Sequence, residues 1–298
     1  NVAAITFTRK AAGEMKKRIV EMVRGRAEED PRWADLLCSM PFAWIGTIDS
    51  FAGRILSENG PLAGIDSGFQ VAAGSCSRTV LQRAALRTMV ENEELVEPLL
   101  KVASLDEILG ALLRGMEVDR AKILASRPAE PVEGGLPLCA DPVDAKGLAE
   151  ADRAFLALFR RVDEAYLRDM AQENRNDFAG VLLTLREALR SCPALRGRLQ
   201  EQFRYIIVDE FQDTDLLQKE IIDLLRGPAT RLIYVGDAKQ SIYRFRGAEV
   251  EVFTEARRDA EAHSGEVQEL ETNYRSHPGV LAFCNRLFPR IFDRGYSE

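Results

Sequence analysis

The sequence predicts an α/β fold: a parallel sheet with helices on both faces, interrupted by a mostly helical insertion. Three observations lead there. Apolar runs of strand length alternate with helical periodicity at the start of the chain and again from residue 178 onward, and parallel strands need crossover helices to join them. The stretch between loses that rhythm: helical patterns are broken by a Pro/Gly-rich segment at 127–147, with no convincing strand. Two of the later apolar runs also stop abruptly in polar clusters, as strands do on reaching the binding edge of an open sheet.

Taken in order, Val2 to Phe7 reads as a buried strand and Ala11 to Val23 as a helix. The chain is expected to begin inside a domain. Ala43 to Gly46 is a second strand, followed by a helix through Leu56 that Asp49 or Ser50 could cap. Arg78 to Val90 and Ser104 to Arg114 are helices of the insertion. The alternation resumes with a helix at Phe178 to Arg190, strand Tyr205 to Val208, helix Leu216 to Leu225, strand Leu232 to Val235 and helix Glu249 to Ala262. A last strand, Val267 to Leu270, and a helix from Pro278 to Phe288 are expected to open a further unit. The boundaries that follow are 1–60 and 173–264 for two parts of one sheet domain, 61–172 for the insertion, and 265–298 for the start of a second domain.

Composition narrows the function. With 298 residues, 46% apolar and 29% charged, the chain can build substantial cores. No apolar run approaches the roughly 20 residues of a membrane span and no signal pattern opens the chain, so no membrane is expected. Five scattered cysteines without a C-x-x-C pair speak against structural zinc and secreted disulfides and for a reducing cytoplasm. His263 and His277 have no partner for metal binding, and Trp33 and Trp44 read as packing residues. A net charge of −7 argues against a general nucleic-acid coat. It leaves room for a narrow basic groove with aromatic platforms.

The strongest chemical signal is Tyr205-Ile206-Ile207-Val208-Asp209-Glu210-Phe211-Gln212-Asp213-Thr214, an apolar strand ending in acids. In a doubly wound sheet such residues face the ligand crevice. Magnesium takes hard oxygens and keeps several waters, so one carboxylate can hold the ion while its neighbour orients water toward a phosphate. A solvated loop is the plain alternative, and it does not call for two further carboxylates and a glutamine in the same turn.

This DEFQDTD stretch resembles the second motif of superfamily 1A helicases, the UvrD/Rep group. The resemblance implies a RecA-like P-loop NTPase fold, ATP and magnesium as cofactors, magnesium held by Asp209 and Glu210, and Glu210 as catalytic base. Val235-Gly236-Asp237-Ala238-Lys239-Gln240-Ser241-Ile242-Tyr243-Arg244-Phe245-Arg246-Gly247-Ala248 resembles the third motif, in which Gln240 would sense the terminal phosphate while Tyr243, Phe245 and Arg246 face DNA. A neutral amide can donate to phosphate and accept from water, and stacking on aromatics tolerates any base. Its QSIYRFRGAE form looks like the AddA and RecB helicase-nuclease subunits. Leu270-Glu271-Thr272-Asn273-Tyr274-Arg275-Ser276 resembles the fourth motif, which implies Tyr274 on adenine and Arg275 as an arginine finger.

Two earlier stretches are similar to DNA-contacting motifs. Thr6-Phe7-Thr8-Arg9-Lys10-Ala11-Ala12 resembles TFTNKAA, with Arg9 in place of asparagine, and implies DNA contacts from Phe7, Thr8, Arg9 and Lys10. Gly46-Thr47-Ile48-Asp49-Ser50-Phe51 resembles TxHSF, with Asp49 where many members have histidine, and implies contacts from Thr47, Ser50 and Phe51. Asn176-Asp177-Phe178 looks like the short element ahead of the second motif. No G-x-x-x-x-G-K-[ST] loop occurs. The reading is therefore a piece of an ATP-driven helicase of recombinational repair, acting on single-stranded and duplex DNA, inactive alone, with a second helicase-nuclease subunit as possible partner. The rivals are a DNA- or partner-binding module without ATPase activity, and another P-loop ATPase such as a transporter.

Overall fold

A computed structural model of the protein describes residues 2–72, 74–128, 145–240, 250–262, 265–270 and 272–291. The chain divides into two compact units, Asn1–Thr254 and Glu255–Glu298.

The first unit is built on a four-stranded, all-parallel sheet of β1 (Val2–Thr6), β2 (Trp44–Thr47), β5 (Tyr205–Val208) and β6 (Arg231–Tyr234), in the order β2-β1-β5-β6. Register is continuous across the centre: Ala3 pairs with Trp44 on one side and Ile206 on the other, and Ile206 with Leu232. Ala3, Ala4 and Ile5 are at most 5% exposed. Small and branched side chains let helices close on a strand covered on both faces.

Strand order and the right-handedness of βαβ crossovers assign the layers. The chain leaves β1 through α1 (Arg9–Ala27) and α2 (Arg32–Ser39) to reach β2. It then reverses direction to reach β5, through α3 (Ile48–Ala63), α9 (Phe178–Ser191) and α10 (Pro193–Gln202), and continues through α11 (Leu216–Leu225) to β6. Reversal puts α1 on one face and α3, α9 and α11 on the other, and α9 does pack against both α3 and α11. The point of reversal lies between β1 and β5, where a doubly wound sheet opens its crevice.

Local chemistry sets the helix starts. Thr8, Thr47, Asp177 and Asp215 each accept a backbone N–H of the first turn, beginning α1, α3, α9 and α11. Thr47, the last residue of β2, therefore caps α3, and neither Asp49 nor Ser50 does: both already lie inside the first turn. The helix ends at Gly64, in the left-handed region at φ 71° where a Cβ would be strained.

The insertion has its own core. α4 (Gly74–Glu91), α5 (Glu93–Leu100), α6 (Leu105–Val118), α7 (Arg120–Ala125) and the 28-residue α8 (Ala145–Gln172) enclose Leu81, Leu112, Leu158, Phe159 and Tyr166. Ser104 and Glu107 form a reciprocal capping box on α6. Where the chain enters and leaves the insertion, β3 (Gln70–Val71) and β4 (Arg175–Asn176) pair in parallel and pin the two ends together. Sequence pattern does not anticipate them, because two residues carry no alternation. Below this clasp Arg120, 2% exposed, donates from Nε to Asp163 at 2.6 Å and from Nη1 to Asp177 at 3.3 Å, while Tyr166 donates to the other Asp177 oxygen at 2.8 Å.

The second unit holds α13 (Pro278–Ile291). The expected strand at Val267 to Leu270 is not formed: residues 265–270 lack strand pairing and Leu270 is 91% exposed. A stretch of strand pattern becomes a strand only when a neighbour takes its backbone hydrogen bonds. α12 (Val250–Ala262) runs across the division between the units. Among the described residues no helix is long and apolar enough to cross a membrane.

Candidate functional site

A cavity of about 420 Å³ opens at the reversal point of the sheet. Ile5, Thr6 and Phe7 line it from the end of β1, Val208, Asp209 and Glu210 from the end of β5, and Asp213, Asp215 and Gln218 from the turn and helix that follow. The insertion closes one side through Glu117 and Val118, and Asp49 and Phe178 another. The two carboxylates singled out from the sequence thus share one cavity at the carboxyl ends of adjacent strands.

The turn that carries them is held from below. Phe211, 1% exposed, stacks on Tyr234 at 4.0 Å between ring centroids, and its N–H donates to Val235 O at 2.9 Å. With Phe211 pinned inward, the preceding residue turns outward, and Glu210 adopts the left-handed region at φ 54°. That region is uncommon for a residue with a Cβ, and strain of this kind survives where the surroundings over-determine it.

Gln212 fastens the turn sideways. It is 2% exposed; its Nε2 donates to Glu210 Oε2 at 2.7 Å, and its Oε1 accepts the Asp237 N–H at 3.0 Å. Asp237 in turn accepts from Gln240 Nε2 at 2.9 Å. A hydrogen-bonded line therefore runs from Glu210 at the β5 edge through Gln212 and Asp237 to Gln240 at the β6 edge. Gly236 makes the approach possible, since a Cβ there would lie against Gln212 Oε1 and 3.0 Å from the Phe253 ring. Sequence assigns Gln212 and Asp237 no part in the site; its signal for Gln212 is a glutamine among acids in one turn.

Acid crowding dominates the electrostatics. Burial, then the Glu210 charge, pushes the carboxyls of Asp209 and Asp213 above their ordinary range. Burial likewise raises Asp215 and Asp49, the latter against the through-space pull of Arg9. Among the described residues Asp213 Oδ1 has no hydrogen-bond partner, although it is buried. Among the described residues no three acidic, histidine or cysteine side chains converge closely enough to cage an ion unaided. Magnesium, which keeps several waters and takes one or two carboxylates, suits this donor set. The described walls of the cavity carry no cation to meet a triphosphate, so the residues present fit the metal better than the phosphates.

The strand-facing residues divide. Arg9 and Ser50 line a second cavity of about 220 Å³, with Asp49, Gly53, Ser57, Phe69, Val71 and Phe178. Lys10 is exposed, Phe7 lines the larger cavity and Thr8 is the α1 cap. Thr47 is buried as the α3 cap, and Phe51 is a core residue, 4% exposed and packed edge-on to Trp44 at 5.2 Å and against Phe203. Burial leaves Phe51 no surface to offer a ligand. Tyr243, Phe245 and Arg246 lie outside the described residues, as does His263. In the second unit Asn273 Oδ1 accepts the N–H groups of Arg275 and Ser276, forming a turn that presents Tyr274, 94% exposed, and Arg275 to solvent.

Comparison with known proteins was made against this geometry. The chain is 28% identical over 294 residues to DNA helicase II of Haemophilus influenzae, covering 99% of this chain and 34% of that protein. It is 27% identical over 285 residues to the ATP-dependent DNA helicase PcrA of Leuconostoc citreum, covering 95% and 32%. With PcrA of Staphylococcus aureus it shares 26% over 295 residues, covering 99% and 34%. The chain spans about a third of the length of these curated relatives. The UvrD/REP helicase N-terminal domain family matches residues 1–261, most of the chain and all of the sheet and insertion, and the chain belongs to that family.

Proposed function

We propose that the protein works as part of an ATP-dependent DNA helicase that moves along single-stranded DNA and unwinds duplex. The observation that carries this reading is the hydrogen-bonded line from Glu210, in the cavity where the sheet reverses, to Gln240 at the neighbouring β6 edge. It joins Glu210, to which we assign the hydrolytic role, to Gln240, to which we assign phosphate sensing, across two strand ends. The similarity to two helicases named as ATP-dependent or as DNA helicase II supports the same activity.

Asp209 and Glu210 would hold magnesium, which when bound offsets phosphate charge. Glu210 would orient the attacking water and take its proton on Oε. Gln240, donating to Asp237 in this structure, could exchange that partner for a phosphate oxygen and so transmit phosphate loss to the β6 edge. Arg275 would supply a guanidinium to the transferred phosphoryl group and Tyr274 a face for the adenine. On the strand side, Arg9, Lys10 and Ser50 with Tyr243, Phe245 and Arg246 would meet backbone and bases. Thr47 and Phe51 we assign to capping and packing. Residues 61–172 form the insertion between the two parts of the motor domain, and residues from 265 onward begin its second domain. The QSIYRFRGAE form at 240–249 favours the helicase-nuclease branch, recombinational repair and a second subunit.

The experiment is Glu210→Gln in the intact protein. DNA-stimulated ATP hydrolysis should fall at least about a hundredfold while nucleotide binding persists; near-normal turnover removes Glu210 from the mechanism. No Gly-rich phosphate loop occurs among these 298 residues, so alone they should hold DNA without hydrolysing ATP. The second reading is a strand- or partner-binding module, and an intact protein that lacks strand-stimulated ATPase activity would establish it.

A further inference from the structure

Phe178, the first residue of α9, stands in the wall of both cavities, and among the described residues only Asp49 shares that place. The ring is 43% exposed, so a face of it is open. The backbone that delivers it is fixed from two sides. Ahead of it β4 pairs with β3, and Asn176 O accepts the Ala72 N–H at 2.8 Å. Next to it both carboxylate oxygens of Asp177 are engaged: Oδ1 accepts the Gly180 N–H at 2.5 Å and Arg120 Nη1 at 3.3 Å, and Oδ2 accepts the Tyr166 hydroxyl at 2.8 Å. Two of those three donors belong to the insertion, Arg120 at the first position of α7 and Tyr166 on α8, 2% and 1% exposed. Arg120 is anchored in turn by Asp163 at 2.6 Å, and its guanidinium lies over the Tyr166 ring, 5.5 Å from the centroid. Starting α9 takes one side-chain oxygen and one backbone N–H. It does not require a guanidinium and a phenol buried in a separate core, where desolvating the cation is costly. Just ahead of Arg120, Glu117 and Val118 line the larger cavity, so the insertion reaches the site through the same few residues.

We propose that Arg120 is a positioning residue for strand binding: through Asp177 it sets where Phe178 stands in the wall shared by the two cavities, and so ties the strand path to the insertion. This rests on the strand-binding reading above. A strand that reaches Arg9 and Ser50 in the smaller cavity meets Phe178 there as an aromatic face. Held in place beforehand, that face needs no ordering when the strand arrives. Without Arg120 the Asp177 carboxylate still caps α9 but loses its charged partner, and the first turn of the helix is free to shift with Phe178 on it. Tyr166 holds the other oxygen and acts in the same sense.

A double-mutant cycle separates positioning from a general loss of stability. Binding of labelled oligothymidine to the intact protein is followed by fluorescence anisotropy, without nucleotide and well below the unfolding transition of each variant. Phe178→Ala should weaken binding about tenfold and Arg120→Met about fivefold, within what one aromatic face contributes. In the Phe178→Ala background Arg120→Met should add less than about 1.5-fold, because it acts only through that ring. If Arg120→Met does not fold, Tyr166→Phe takes its place in the cycle; it removes one hydroxyl from Asp177, keeps the ring, and should weaken binding about threefold in the native background. A loss of the same factor with and without the Phe178 ring means that Arg120 acts on the fold as a whole, and no loss from Arg120→Met or from Phe178→Ala means that strand affinity does not depend on where Phe178 stands; each overturns the inference while leaving strand binding intact. A native protein that binds no oligonucleotide overturns the strand-binding reading itself, and this inference with it.

Discussion

Replacing Gln212 with methionine tests whether the line from Glu210 to Gln240 holds the rim of the site. Methionine is close to glutamine in length and volume, so in a position 2% exposed it removes polar atoms without leaving a large hole. Two hydrogen bonds disappear: the 2.7 Å bond to the Glu210 carboxylate, worth about 1.5–3 kcal/mol as a bond to a charged group, and the 3.0 Å bond from the Asp237 N–H, worth about 0.5–1.5 kcal/mol. The expected loss of folding stability is therefore about 2–4 kcal/mol, read from the urea midpoint of the chain. Catalysis should suffer separately. Glu210 sits in the left-handed region and loses the partner that fixes its carboxylate, and displacement of a reacting group by about 1 Å costs on the order of a hundredfold. In the intact protein the fall should appear in kcat for strand-stimulated ATP hydrolysis, with little change in KM for ATP. A Gln212→Met protein within about 0.5 kcal/mol of native stability and with native kcat would refute the reasoning, because the line would then be a passive consequence of the fold.

Gly236→Ala should weaken folding by about 1–3 kcal/mol and lower kcat in the same sense as Gln212→Met, since the new methyl would press on Gln212 and the Phe253 ring; unfolding midpoints and turnover check it. Asp213→Asn should stabilise the protein at neutral pH by about 1 kcal/mol, measured by urea unfolding across pH. Because the Asp213 carboxyl binds a proton more readily folded than unfolded, its ionised form opposes folding above its raised value. The advantage of asparagine should therefore fade as pH falls toward 3.8. Arg120→Met should cost about 3–5 kcal/mol, because buried Asp163 and half-buried Asp177 lose their cation. Adding Asp163→Asn should recover part of that loss in the same unfolding assay.

Several elements were legible because their determinants are local. β5 and α11 fall at their expected bounds: four apolar residues with acids at their end, then Asp215 capping ten residues whose inward face is Ile221, Ile222 and Leu225. α10 was invisible, since Leu195 and Leu199 are its only buried residues and make no repeating stripe. β3 and β4 were invisible because each exists only through the other. The strand expected at 267–270 has the opposite history, an alternating stretch to which no neighbour brings strand hydrogen bonds among the described residues.

The site divides the same way. Asp209 and Glu210 announced themselves as polar residues at the end of a strand, and their place at the reversal of the sheet followed from parallel topology. Phe51 did not disclose its burial, because an aromatic after a capped helix start reads alike whether it faces a strand or, as here, Trp44 and Phe203. Nor could Gln212 show that it bridges two strand ends, or Arg120 that it would be enclosed with carboxylates from α8 and from the start of α9. From the residues alone came strand, helix, cap and the acid-tipped edge, since each depends on neighbours a few positions away. Which acid meets which amide, and which cation is enclosed, was decided by segments distant in sequence packing together, where only their joint exclusion of water makes each polar group need the other.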